Sequence, residues 1–140
     1  MPALRWTTVG RPADPAGVCT VLAARLPLRS YRDVPRLFWY AVRIRRQLRR
    51  TRAVLGYAFM FRIRQKTLWT VSAWSHRAEL ARFDRTDPHR AAKQALRGAM
   101  LPSTLVLWTS PFDRLPISWH ETHARITAAK ARRPTGEEAR

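Results

Sequence analysis

The segment Thr67–Leu96, TLWTVSAWSHRAELARFDRTDPHRAAKQAL, constrains the fold of this chain more than any other. An apolar run ending in Trp74 reads as a strand, a short amphipathic helix follows, and a second helix opens with His89 at its head. Ser75 is placed to cap the first helix, with Glu79 in its opening turns. Asp87 and Pro88 give the second helix a capping carboxylate and a preset φ. This order narrows the fold and leaves the chemistry to be argued from His89.

The flanking sequence completes the pattern. Val18–Leu26 is a short Val- and Leu-rich strand. A helix starts at Asp33, or three residues earlier at Ser30, and runs to about Arg50, with Val34, Leu37, Ala41, Ile44 and Leu48 on one stripe and Tyr40 at its edge. Ala53–Ile63 and Thr67–Trp74 form a hairpin across the polar turn Arg64-Gln65-Lys66. Helices are expected over 76–84 and 88–99, and a strand over 103–109. Ser118 and Glu121 have the spacing of a capping box that starts a terminal helix. The order predicts an α+β, ferredoxin-like split βαβ domain over 17–130, one antiparallel sheet with helices on one face, plus the extra C-terminal helix. Residues 1–16 read as a flexible arm and 131–140 as a disordered tail.

Leu55, Tyr57, Phe59 and Phe61 lie on one face of the second strand, and Val54, Ala58 and Met60 on the other. One set can meet the helices; the other needs a different cover, which a second copy packing sheet to sheet would supply. A homodimer is therefore expected. Charge works against self-association, since 27 Lys and Arg against nine Asp and Glu give +18 over 140 residues. The length suits one domain with a real core. Cys19 is the single cysteine and falls in the first strand, where a buried, inert thiol is expected, and no apolar leader precedes it. A reducing cytoplasm is the simplest compartment. No segment approaches the roughly 20 apolar residues of a spanning helix.

The strand ending Ser72-Ala73-Trp74, the helix with Leu80 and Phe83, and Pro88-His89 with Ala92 and Leu96 beyond resemble the dimeric α/β-barrel superfamily, antibiotic-biosynthesis-monooxygenase-like, and more loosely its spheroidene-monooxygenase-like group. The resemblance covers about residues 18–110. It implies a dimeric α/β barrel with an apolar pocket in each subunit between sheet and helices, binding and oxidising a small hydrophobic or aromatic molecule. Phe59, Trp69, Trp74, Phe83, Leu96 and Trp108 are the candidate lining. The family includes oxygenases that need no cofactor, and haem-binding members whose iron ligand would correspond to His89, so the cofactor is either none or haem. The chain offers no Asn near the start of its second strand, which weighs against haem degradation more than haem binding.

His89 shares a helical face with Ala92, Leu96 and Met100, so its imidazole points toward the sheet. An inward histidine can act as a base or ligate iron; the commoner role of such a residue is to cap its own helix through a backbone carbonyl or Asp87. Lys93 can hold an anionic group such as a propionate, or simply be solvated. Tyr57 can orient a substrate through its hydroxyl. His120-Glu121-Thr122-His123 lacks the four-residue histidine spacing and third ligand of a zinc site. Trp39 lies off the apolar stripe beside Arg43, Arg46 and Arg50. Either Arg43 stacks on the indole for about 0.5–1 kcal/mol, or this basic aromatic face meets nucleic acid or a membrane surface. No reading motif accompanies it, so the expectation is non-specific binding to anionic surfaces without specific nucleic-acid recognition.

Overall fold

A computed structural model describes residues 6–10, 17–51, 53–87 and 89–132. Residues 1–5 and 11–16 of the expected arm, Pro88 of the expected helix start, and the tail from 133 onward lie outside them. The strands are β1 (Thr7–Thr8), β2 (Val18–Pro27), β3 (Val54–Arg62), β4 (Thr67–Trp74) and β5 (Thr104–Pro111). The helices are α1 (Val34–Arg50), α2 (Arg77–Asp84), α3 (His89–Leu96) and α4 (Trp119–Arg132). All strand pairs are antiparallel, in the order β1-β3-β4-β2-β5. Without β1 this is the expected split βαβ arrangement.

Local chemistry accounts for most boundaries. Ser30 Oγ accepts a hydrogen bond from the Arg32 amide at 3.4 Å, capping the 3-10 turn Tyr31–Asp33 that runs into α1. Thr51 Oγ1 donates to the Gln47 carbonyl at the far end of that helix. The β3–β4 hairpin closes through a 3-10 turn and Lys66, which takes a left-handed conformation (φ 52°) and donates its amide to the Ile63 carbonyl. Ser118 Oγ accepts from the Glu121 amide at 3.0 Å, one half of the expected capping box. The other half is absent because the Glu121 carboxylate accepts from Arg125 Nε at 3.1 Å.

Two local expectations are corrected. Ser75 does not cap α2: its amide donates to the Ala53 carbonyl at 2.8 Å, tying it to the strand, and His76 holds the cap position without a side-chain bond. Part of the expected arm is a strand, since Thr7 pairs with Tyr57 and Thr8 with Gly56. Gly56 is required there, because any Cβ would overlap the Trp6 indole lying on it.

β3 and β4 are buried on both faces, and both covers come from this chain, while Leu105 and Leu107 of β5 remain exposed. On the helix face, Leu28, Leu37, Phe61, Leu68 and Leu96 form one cluster, and Leu48, Val54, Tyr57, Trp74, Leu80 and Phe83 another. On the opposite face, Cys19, Val21, Ala23, Leu55, Ala58, Met60, Trp69, Val71 and Ala73 pack under Ile117 and Ile126. Trp6, Phe112, Leu115 and Trp119 close the edges of that layer. The two-sided apolarity of β3 therefore needs no second copy. Trp119, Thr122 and Ile126 recur at the spacing of one helical face, and α4 supplies the cover expected of a partner.

Candidate functional site

Alternation along β4 divides the expected pocket lining. Trp69 and Trp74 are five residues apart in one strand and so project from opposite faces. Phe59, Trp74, Phe83 and Leu96 belong to the helix-face clusters, whereas Trp69 and Trp108 pack on the α4 face. The six residues do not line one pocket. On the α4 face, His123 lies over Trp69 at 4.9 Å and the Arg125 guanidinium over Trp108 at 4.4 Å. An indole thus flanks the helix on each side, and both indole N–H groups are buried without hydrogen-bond partners. Arg25 also approaches the Trp69 ring, at 5.8 Å.

The helix-face residues do converge. Trp74 and Phe83 meet at 5.0 Å between ring centroids, and Phe83 lies 5.3 Å from the His89 ring. Tyr57 belongs to the same cluster, its ring 5.4 Å from Phe59. Ser72 Oγ accepts from Trp74 Nε1 at 2.8 Å, which satisfies the buried indole and explains the polar residue two before it. The Tyr57 hydroxyl accepts from Arg45 Nε at 3.2 Å, so a basic side chain of α1 holds it in place.

His89 forms the polar corner of this cluster. Its side chain is 28% exposed, and Nδ1 stands 3.2 Å from Asp84 Oδ1. That approach misses hydrogen-bond geometry, so the Asp84 carboxylate acts on Nδ1 through its charge. Burial holds the imidazole below its usual range, opposed by the negative charge of Asp84 and reinforced by the positive charge of Lys93. The ring is therefore neutral at pH 7. Lys93 Nζ donates to Asp84 Oδ2 at 2.6 Å in a half-exposed ion pair. The partner of His89 is Asp84 and not Asp87. Sequence reasoning missed Asp84 because it belongs to α2 and reaches His89 only through the turn into α3. It missed Arg45 because a basic side chain inside an arginine run carries no distinguishing signal.

Phe83 lies against one side of the imidazole, and Trp74 backs it in turn. Among the described residues, no group of three His, Cys, Asp or Glu side chains is placed to hold a metal ion. Cys19 is buried, and its Sγ donates to the Ser110 carbonyl at 3.3 Å. Burial pushes its thiol above the usual range, against the pull of two backbone hydrogen bonds.

Two clefts open beside α1. A cleft of about 430 Å³ is lined by Arg43, Arg46, Gln47, Arg50, Thr51 and Asp87. An adjoining one of about 310 Å³ is lined by Trp39, Tyr40, Arg43, Asp87 and Ala91. The Arg43 guanidinium stacks over Trp39 at 4.7 Å, as the spacing predicts. No helix among the described residues is long and apolar enough to cross a membrane.

No family model matches the chain, and no curated protein matches it in sequence. Solved structures do match in three dimensions. A candidate antibiotic biosynthesis monooxygenase from Nitrosomonas europaea superposes with a TM-score of 0.61 at 11% identity, over 71% of this chain and 94% of its own. SnoaB, a cofactor-independent oxygenase from Streptomyces nogalater, gives 0.56 at 13% identity, over 67% and 94%. A conserved protein from Methanosarcina mazei gives 0.59 at 9% identity, over 67% and 94%. With its five-stranded antiparallel sheet in split βαβ order, the chain has the ferredoxin-like α+β fold of the antibiotic biosynthesis monooxygenase-like proteins.

Proposed function

We propose that this protein is a monooxygenase-like protein that binds a small hydrophobic or aromatic molecule at the His89 end of the helix face and oxidises it without a resident cofactor. The observation that carries the reading is the neutral imidazole of His89, set against the Phe83–Trp74 pair and steadied by Asp84. A neutral imidazole accepts a proton, and the Asp84 carboxylate beside it stabilises the imidazolium that results. The proton would leave an electron-rich substrate, whose anion then passes one electron to dioxygen. Superoxide and the substrate radical combine into a peroxide anion, which takes the proton back from the imidazolium, and loss of water from the resulting hydroperoxide breaks the O–O bond and leaves a carbonyl on that carbon. The aromatic surroundings keep water away from these intermediates, and Tyr57, held by Arg45, orients the substrate. The likeness to a cofactor-independent oxygenase supports the same chemistry.

The test uses the full-length protein and a panel of electron-rich polycyclic phenols. Binding is read from tryptophan fluorescence and oxidation from dioxygen uptake. Saturable quenching with uptake that His89→Gln abolishes is the expected result. A panel that neither quenches nor is consumed, or uptake unchanged in His89→Gln, removes the proposal.

A further inference from the structure

We propose that the arginine-lined cleft between α1 and the segment entering α3 binds single-stranded nucleic acid without sequence preference. The two adjoining clefts share Arg43 and Asp87, forming one continuous concavity on the outer side of α1. Arg43, Arg46 and Arg50 follow one another at intervals of three and four residues, so they form a single stripe along it. By helix rise the stripe is about 10 Å long, roughly three nucleotides of a stacked strand at about 3.4 Å each. None of the three has an acidic partner among the described residues, whose ion pairs are Asp33–Arg36, Asp84 with His89 and Lys93, and Glu121–Arg125. Asp87 is the one acid in the lining. The lining thus carries three guanidinium groups against one carboxylate, and guanidinium groups match phosphate oxygens in pairs.

Two further features select the ligand. Trp39 is 54% exposed, held edge-on against Tyr40 at 4.8 Å, with Arg43 over its ring. An exposed indole next to a guanidinium stripe is the stacking platform that single strands use, since every base has a π-face. Gln47, which also lines the cleft, has a side-chain oxygen with no hydrogen-bond partner among the described residues. The concave shape argues against an anionic bilayer, whose flat surface cannot follow it. A duplex does not offer unstacked bases to Trp39.

Fluorescence anisotropy with a labelled mixed-sequence 15-nucleotide single strand, at several salt concentrations, tests this on the full chain. Two double variants remove equal charge: Arg46→Ala with Arg50→Ala in the cleft, and Arg85→Ala with Arg97→Ala on exposed sites outside it. The cleft pair is expected to weaken binding at least about tenfold and to reduce the log–log salt slope by about 1.4, the change for two phosphates no longer neutralised. The outside pair should change affinity less than about twofold. Trp39→Ala should weaken single-strand binding at least about fivefold with the slope unchanged. Equal losses from both pairs would mean that diffuse charge does the binding, and would overturn the proposal. So would Trp39→Ala binding normally, the absence of binding at low salt, or capture by anionic vesicles without capture of the oligonucleotide.

Discussion

Replacing Ile126 with Ala tests whether α4 is an integral part of the core. Ile126 is 1% exposed and lies over Val21, Ala23, Val71 and Ala73 on the sheet face opposite the other helices. Removing a fully buried Ile side chain to Ala costs about 2–5 kcal/mol, depending on how far the site collapses. For a domain of 140 residues, each kcal/mol lowers Tm by about 3 °C, so a fall of roughly 6–15 °C is expected. The loss has a ceiling set by the free energy of docking α4, because the helix can detach and leave the sheet folded. Detachment would uncover Trp69 and Trp108, shift their emission to the red, and leave an apolar face that drives association. Thermal unfolding by circular dichroism, tryptophan emission and light scattering together read these outcomes, with Ala124→Ser as an exposed control on the same helix. The wild type should scatter as a monomer. A Tm change under about 2 °C, less than the smallest core truncation should give, with unaltered emission, would refute the argument that α4 closes the core.

Four other expectations follow from the helix face and β2. The depressed pKa of His89 means the unfolded chain binds its proton more readily, so the stability this group contributes is present above its unfolded pKa of about 6.5 and lost as pH falls toward the lower folded value; wild type should lose more Tm than His89→Gln on going from pH 7 to pH 5. Oxidation, if His89 is the base, should fall over that same acidic range. Tyr57→Phe frees Arg45 Nε and should cost about 0.5–1.5 kcal/mol; a double-mutant cycle with Arg45→Ala should return a favourable coupling in urea titration, and additive losses would deny the interaction. Cys19 should resist a thiol reagent in the native state and react at the rate of global unfolding; fast modification of folded protein would show that the thiol is reachable.

The hairpin is legible because two apolar runs flank a polar turn, and α1 because its stripe agrees with its start after Asp33. β1 is not, since a two-residue Thr-Thr strand has no periodicity and depends on Trp6 settling over Gly56. The faces of Trp69 and Trp74 can be separated by counting residues along the strand, but Trp108 joins Trp69 only once the register places Trp108 opposite Val21. The cover of the second face is present in the spacing of Trp119, Thr122 and Ile126, and is easily overlooked because an apolar strand face in this fold suggests a partner. At the candidate site, the helical phase of His89 shows that it turns inward. Asp84 depends on the geometry of an inter-helix turn, which composition and periodicity do not encode.

The position of β2 between β4 and β5 sets the timing of folding during synthesis. Both of its neighbours, β4 and β5, are made after it, and 91 residues separate Cys19 from the Ser110 carbonyl that accepts its thiol hydrogen. At translation rates of about 5–20 residues per second, the apolar run VCTVLAARL waits roughly 5–20 s for the strand that completes its ladder. During that interval its unpaired edge is open to any other nascent chain. The high positive charge, dominated by arginine, keeps such chains apart while β2 waits.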